Sequence, residues 1–173
     1  EEATRRSEDV DLAAKEAAMI AAKAAEEAAA RAEEIARSAT QAVQDAIEAA
    51  SAAGKQADEA AKGAKAAQAA LDKKLTAETA VKTEEAGRKA KRAASVAFQA
   101  VEDTRIKAQA AIAAGDNAIA ASALTTGRIA ELTDEAGQDA KASAAKGLDV
   151  ADKTLKKAEQ ADIAGDEAIE AAS

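Results

Sequence analysis

Alanine occupies about a third of the 173 positions, and proline occupies none. Alanine is the strongest helix former, and Glu and Lys, the commonest charged residues here, follow close behind it together with Arg. Proline would interrupt a helix, and no glycine precedes Gly54 to weaken one. These features predict a chain made of long α-helices.

The size of the apolar side chains limits how such helices can pack. Apart from alanine, the apolar residues amount to 24 larger side chains: Val, Ile, Leu, one Met and one Phe. Burial stabilises a chain by roughly 25 cal/mol per Å² of apolar area, so a buried alanine contributes little. The chain cannot fill a thick core, but it can fill a narrow seam. We therefore expect an all-α, elongated antiparallel helical bundle that forms a single domain over residues 1–173.

Larger apolar residues recur at steps of three and four, which predicts a buried stripe on each of three helices. The first stripe begins at Val10 and continues past Ile35, the second passes through Phe98, and the third ends near Ile169. Residues 55–75 are expected to add a further helical segment. The predicted core comprises Ile35, Val43, Ile47, Phe98, Val101, Ile112, Ile119, Leu132, Leu148 and Leu155.

Two stretches, Thr76–Thr83 and Thr125–Gly127, are expected to separate the helices. Thr83 precedes two glutamates, which is typical of a residue that caps a helix with an acidic first turn. Gly115 and Gly165 lie in register with the apolar stripes, so both are expected inside helices.

The course of the chain at Gly54 has two solutions. The first helix either runs on to Leu75 or bends at Gly54, and the similar lengths of the three resulting helices favour the bend. The run Ala-Ile-Glu-Ala-Ala-Ser occurs at 46–51 and again at 168–173. Without a fixed period connecting the copies to other segments, it is interpreted as low complexity.

The net charge is -8, from 24 basic and 32 acidic residues, which disfavours nucleic acid as a partner. The densest basic cluster is Arg88, Lys89, Lys91 and Arg92. Glutamates precede it at spacings that allow pairing on one helix, which favours a solvated face over a site for an acidic partner or phosphate. No apolar run is long enough to predict a transmembrane helix.

The chain has no His, Cys or Tyr, the side chains that most often titrate or attack near neutral pH. The adjacent acids at 26–27, 33–34 and 84–85 are expected to be solvated, because a general acid needs burial to raise its pKa. No catalytic, cofactor-binding or metal-binding residue is predicted, and the chain is not expected to be an enzyme.

In composition and helix plan the whole chain resembles the glutamic acid/alanine-rich protein of trypanosome surfaces and related alanine-rich insect-stage coat proteins. The resemblance includes the opening Glu-Glu-Ala-Thr-Arg-Arg and is strongest over 21–34 and 55–71. The start at Glu1, without Met, is expected to reflect processing. The absence of cysteine departs from the variant surface glycoproteins, whose bundles are commonly disulfide-bonded.

The resemblance implies a coat glycoprotein on the extracellular face of the plasma membrane, held by a glycosylphosphatidylinositol (GPI) anchor beyond Ser173. It implies neighbouring coat proteins as partners, with an unidentified insect-host ligand as a further candidate. The leading expectation is a non-enzymatic helical spacer or shield. The alternatives are a receptor for a macromolecule, with its recognition surface at a membrane-distal tip near residues 121–128, and an intracellular structural or stress-protective helical protein.

Overall fold

Three long helices make up the chain: α1 spans Glu2–Lys73, α2 spans Ala77–Ser122 and α3 spans Gly127–Ala171. They are seen in a computed structural model, which describes the backbone of residues 2–173 and the side chains of residue 6 and of residues 8–173. The predicted all-α bundle of three long helices is confirmed. Part of the opening run, residues 1–5, lies outside the described side chains.

The helix α1 continues through Gly54 without interruption, so residues 55–73 belong to it and the favoured bend is wrong. Gly54 is buried, and a Cβ built on it would lie 3.2 Å from Thr154 Oγ1 and 3.4 Å from Lys157 Cδ. The missing side chain therefore allows α3 to approach closely. It does not serve a change in backbone direction.

The turn between α1 and α2 is fixed by Thr76 and Thr79. The Thr79 amide donates to Thr76 Oγ1 at 3.2 Å, and the Thr76 amide donates to Thr79 Oγ1 at 2.9 Å. These reciprocal bonds satisfy amides at the start of α2, as in a capping box. Thr76 is thus the capping residue, and Thr83, the predicted cap, is fully buried within α2.

The turn between α2 and α3 lies where it was predicted. Thr125 Oγ1 donates to the Ser122 carbonyl at the end of α2, and α3 begins at Gly127, whose φ of 66° suits glycine. Gly115 and Gly165 lie inside helices, as predicted.

The chain divides into two compact units. Unit 1 comprises Glu1–Thr40 and Ala111–Ala142, and unit 2 comprises Gln41–Ala110 and Ser143–Ser173. Each unit contains parts of all three helices. The single domain expected over residues 1–173 stays a prediction.

In unit 2, α2 runs antiparallel to both other helices. Thr104 and Thr83 of α2 contact Ala46 and Ala67 of α1, so the two helices pair in opposite directions. On the other side, Arg105 Nη2 reaches Asp152 Oδ1 of α3 at 2.9 Å. The helices α1 and α3 run parallel.

The seam of unit 2 is built from small side chains at alternating steps of three and four. Such a spacing averages 3.5 residues and keeps neighbouring helices facing each other. Alanine dominates the seam, with glycine, threonine and a few larger residues at intervals. On α2 the buried positions are Thr83, Gly87, Ala90, Ala94, Ala97, Val101, Thr104 and Ala108.

Threonine hydroxyl groups connect α2 and α3 to the backbone of α1 in unit 2. The Oγ1 atoms of Thr83, Thr104 and Thr154 lie 3.1, 3.2 and 3.1 Å from the carbonyl oxygens of residues 67, 46 and 50, to which they donate. A buried hydroxyl group costs free energy unless it is hydrogen-bonded. Sliding one helix along another would break these bonds, so they help to fix the register of the helices.

In unit 1, Ala36 of α1 packs with Ala118 of α2 and with Ala136 and Ala140 of α3. The helices α2 and α3 approach so closely that a Cβ built on Gly137 would lie 2.8 Å from the Gly115 carbonyl oxygen. The buried Thr133 hydroxyl has no hydrogen-bond partner among the described residues.

The predicted core is correct in part. Val43 and Val101 are buried, whereas Ile35 is 60% exposed and Phe98 is 36% exposed. The other six predicted core residues, Ile47, Ile112, Ile119, Leu132, Leu148 and Leu155, are half-buried. Alanine, glycine and threonine fill the seam and bring the helices together, so most bulky side chains lie at its edges.

The helices α2 and α3 contain an internal repeat that the low-complexity interpretation missed. Residues 83–122 and 133–172 align without a gap at an offset of 50, with 17 of 40 positions identical. Nine of the identities are residues other than alanine, which an alanine-rich composition does not explain. They are Thr83, Glu85, Gly87, Lys91, Thr104, Lys107, Gly115, Asp116 and Ile119, each with its equivalent 50 residues later.

Candidate functional site

The basic cluster on α2 separates into paired and unpaired members. Arg88 pairs with Glu84 on the same helix, as its spacing predicts. Lys91 Nζ lies 2.5 Å from Asp166 Oδ1 and 3.3 Å from Asp162 Oδ1, both on α3. The hydrogen bonds that Lys91 donates to Asp166 and, to a smaller extent, to Asp162 raise the pKa of Lys91. Arg88 and Lys91 therefore have structural partners.

Lys89 and Arg92 have no ion-pair partner. Among the described residues, no carboxylate oxygen lies within 4.0 Å of a side-chain nitrogen of either residue. Both side chains line a groove of about 400 Å³ between α1 and α2 in unit 2. The groove is also lined by Gln56, Glu59 and Ala60 of α1 and by Ala93 and Val96 of α2.

The two rims of this groove, hereafter the α1–α2 groove, differ in charge. The α2 rim carries Lys89 and Arg92, and the α1 rim carries Glu59 with the Gln56 amide. Glu59 also acts on its own helix: the pKa of Lys62 is raised chiefly by a hydrogen bond to Asp58, with a smaller electrostatic contribution from Glu59. Among the described residues, Glu59 forms no ion pair with either cation of the opposite rim.

The internal repeat distinguishes packing residues from groove residues. Lys91 and its equivalent Lys141 both reach an aspartate on the neighbouring helix, Asp166 in unit 2 and Asp116 in unit 1. By contrast, the equivalents of Lys89 and Arg92 in α3 are an aspartate at 139 and an alanine at 142. The repeat keeps this lysine–aspartate pair, but it keeps neither the Arg105–Asp152 pair nor the cations that line the groove.

The described side chains of residues 6–28 of α1 form a second exposed surface. Among the described side chains of residues 6–28 none is buried, so the predicted stripe from Val10 through Ile20 does not reach a neighbouring helix. Leu12 and Met19 are exposed as well. The positions that continue the α1 seam toward the N-terminus, at Lys15 and before it, are charged and do not extend an apolar seam.

The expected recognition surface at residues 121–128 is the turn between α2 and α3. Leu124 there is 76% exposed. The side-chain hydrogen bonds of the turn are local: the Ser122 hydroxyl donates to the Ile119 carbonyl, and the Thr125 hydroxyl donates to the Ser122 carbonyl. A role in recognition stays a prediction.

The adjacent acids do not form a buried site. Glu33 and Glu84 pair with arginines one turn away, and their neighbours Glu34 and Glu85 are exposed. Among the described side chains, those of residue 6 and of residues 8–173, no group of three or more acidic residues is arranged to hold a metal ion. None of the helices in that range combines the length and apolar character needed to cross a membrane.

Sequence reasoning identified the basic cluster but not the groove. The internal repeat at an offset of 50 residues could have pointed to the groove, because it shows that α3 lacks the equivalents of Lys89 and Arg92. Comparisons of the chain with protein-family models, with curated proteins and with solved structures give no match. Kinship with the trypanosome coat proteins therefore stays a prediction.

Proposed function

We propose that the chain is a non-enzymatic helical spacer in a protein coat on the extracellular face of the plasma membrane. In this proposal a GPI anchor beyond Ser173 holds it, and neighbouring coat molecules surround it. The resemblance in composition and helix plan motivates the location and the anchor. The packing of the helices supports the mechanical role.

The small-residue seam is the observation that carries the proposal. In unit 2, twelve buried alanines form one cluster that receives residues from all three helices. Small side chains allow helix axes to approach toward the short end of the usual 8–10 Å range. Such packing gives three mutually supporting helices with few side chains inside, which suits a part whose task is to hold a distance.

The charged surface supports the same role. In the part of the chain after residue 7, six ion pairs each join residues four apart on the same helix: Arg37–Glu33, Lys62–Asp58, Lys82–Glu78, Arg88–Glu84, Lys107–Asp103 and Lys153–Asp149. Each of these exposed pairs contributes little to stability, because water and salt screen the charges. Their combined effect is a hydrophilic exterior with both signs of charge interspersed, which keeps crowded copies soluble beside one another.

Antibody staining of intact cells tests the location and the anchor together. An antibody raised against the recombinant chain is applied to living, unpermeabilised cells that express the full-length protein. The proposal expects surface staining that phosphatidylinositol-specific phospholipase C releases into the medium. A membrane protein with a transmembrane helix serves as the control that the enzyme leaves in place.

Two results would refute the proposal. Staining that appears only after permeabilisation would place the protein inside the cell and favour the intracellular structural alternative. Surface staining that the phospholipase does not release would reject the anchor.

A further inference from the structure

We propose that the α1–α2 groove binds an anionic sugar unit, with Lys89 and Arg92 holding its acidic group. The groove lies in unit 2, is open to solvent and has a volume of about 400 Å³, within the range typical of small-ligand sites. Binding in this groove is independent of the coat role proposed above, because it requires only residues of unit 2.

The two unpaired cations determine the charge of the ligand. Lys89 and Arg92 line the same groove from positions three apart on α2, so their head groups converge on one region. Arginine presents a planar fork that matches a carboxylate or phosphate, and lysine adds a point charge. No acidic side chain lies within ion-pair distance of either residue in the part of the chain that the structure describes.

The internal repeat argues against a packing role for this pair. An aspartate at 139 and an alanine at 142 occupy the equivalent positions on α3, whereas the lysine and aspartate of the Lys91–Asp166 pair recur as Lys141 and Asp116. Lys89 and Arg92 also form no ion pair with a neighbouring helix among the described residues, unlike Arg105, which pairs with Asp152. The pair is therefore available for a ligand.

The remaining lining residues determine what the ligand carries beside its charge. Glu59 and Gln56 on the opposite rim accept hydrogen bonds, which hydroxyl groups can donate. Glu59 would repel an anion without such donors. Val96 is 51% exposed and, with Ala60 and Ala93, offers an apolar surface for the C–H face of a sugar ring. An acidic monosaccharide combines all three features.

The charge of the whole chain limits the size of the ligand. The net charge is -8, so a long polyanion would be repelled beyond the groove. A single acidic sugar places its one negative charge beside Lys89 and Arg92 and extends little further. The site is thus expected to prefer a monosaccharide unit to a polymer of such units.

Nuclear magnetic resonance of protein labelled with ¹⁵N-valine provides the test. The chain has six valines, and Val96 lines the groove while Val10, Val43 and Val150 do not. Titration with sodium glucuronate is expected to shift the Val96 amide saturably, with a Kd on the order of millimolar, as suits a small ligand in an open groove. Glucose, which lacks the carboxylate, and acetate, which lacks the hydroxyl groups, are titrated at matched ionic strength.

The double variant Lys89→Asp/Arg92→Ala copies the residues that α3 carries at the equivalent positions, so we expect it to fold. It should weaken glucuronate binding at least about tenfold, because two charge-assisted hydrogen bonds are lost. The matched control Lys146→Asp/Lys156→Ala changes the net charge equally at exposed lysines of α3 and should bind as the parent does. Circular dichroism at 222 nm confirms that both variants are folded.

The proposal is overturned if Val96 shows no saturable shift with glucuronate. It is equally overturned if glucose or acetate saturates Val96 as well as glucuronate does. Equal losses in the groove variant and the matched control would also reject it, because the effect would then come from net charge. The preference for a single unit would be rejected if polyglucuronate, at equal concentration of sugar units, bound more tightly than glucuronate.

Discussion

Replacing Gly87 by alanine tests the close approach of α2 and α3 in unit 2. A Cβ added at Gly87 would lie 2.7 Å from the Gly165 carbonyl oxygen and 2.9 Å from Ile169 Cγ1. The isoleucine can rotate, but the carbonyl belongs to the backbone of α3. The helices must therefore move apart by several tenths of an ångström, and the neighbouring alanines lose contact.

Gly63 of α1 provides the matched control. It is exposed, and no atom lies within 4 Å of a Cβ built there. Gly63→Ala should stabilise the protein by about 0.5–1 kcal/mol, because alanine favours the helix more than glycine does. Gly87→Ala gains the same helix propensity but incurs an overpacking cost of about 1–3 kcal/mol. The difference between the two variants isolates the packing cost.

Thermal unfolding followed by circular dichroism at 222 nm measures this difference. The chain has no Trp or Tyr for fluorescence, and its helices give a strong dichroism signal. For a protein of this length each kcal/mol shifts Tm by about 2–4 °C, so Gly87→Ala should melt roughly 2–12 °C below Gly63→Ala. Equal melting temperatures would refute the close approach of α2 and α3 at Gly87.

Three further perturbations follow from the packing and the charges. Phe98→Ala should cost about 1–2 kcal/mol in urea unfolding, below the 3–5 kcal/mol of a fully buried ring, because Phe98 is 36% exposed. Thr104→Val should cost about 1 kcal/mol through its lost bond to the Ala46 carbonyl. Thr40→Val, whose hydroxyl bonds only its own helix, should cost little; equal losses would contradict the role of the interhelix bond. Acid should lower Tm slightly below about pH 4, because the hydrogen bond from Lys62 depresses the pKa of Asp58 and that stabilisation disappears on protonation. The acid effect should weaken in 1 M salt, and a salt-independent loss would point to another cause.

Helix content and the positions of the turns were predictable because both depend on local chemistry. Alanine and the absence of proline predict helices directly, and Gly127 with its preceding threonines predicts the α2–α3 turn. The α1–α2 turn lies at residues 74–76, so the predicted stretch Thr76–Thr83 overlaps it only at Thr76 and otherwise belongs to α2. The cap was assigned to Thr83 because glutamates follow that residue. The hydroxyl of Thr83 instead bonds across to the Ala67 carbonyl, which is a tertiary contact.

The core was harder to predict because residue size suggested the wrong positions. A search for bulky stripes selects Phe98 and Ile35, whereas the seam follows the small residues one or more positions away. The distance between the helices decides whether the bulky or the small residues are buried. That distance depends on the packing of all three helices at once. The predicted bend at Gly54 was wrong for the same reason, because that glycine allows close contact with α3.

The α1–α2 groove could not be derived from one helix. Its cations belong to the basic cluster of α2. When α2 is considered alone, the whole cluster is expected to be a solvated face, and this is correct for Arg88, which pairs with Glu84 on the same helix. Lys89 and Arg92 differ because α1 places Glu59 and Gln56 opposite them. The offset of 50 residues was visible in the sequence and would have separated these two residues from the rest.

A seam lined with alanine also affects how the protein responds to cold. Unfolding raises the heat capacity in proportion to the apolar surface it exposes, usually by about 12–15 cal/mol/K per residue. Alanine contributes little such surface, so the increment here should fall below that range. The stability curve then becomes flatter, and the hydrophobic contribution that weakens on cooling is a smaller part of what keeps the helices together. Calorimetry should find a bundle that tolerates a wide span of temperatures below its melting point.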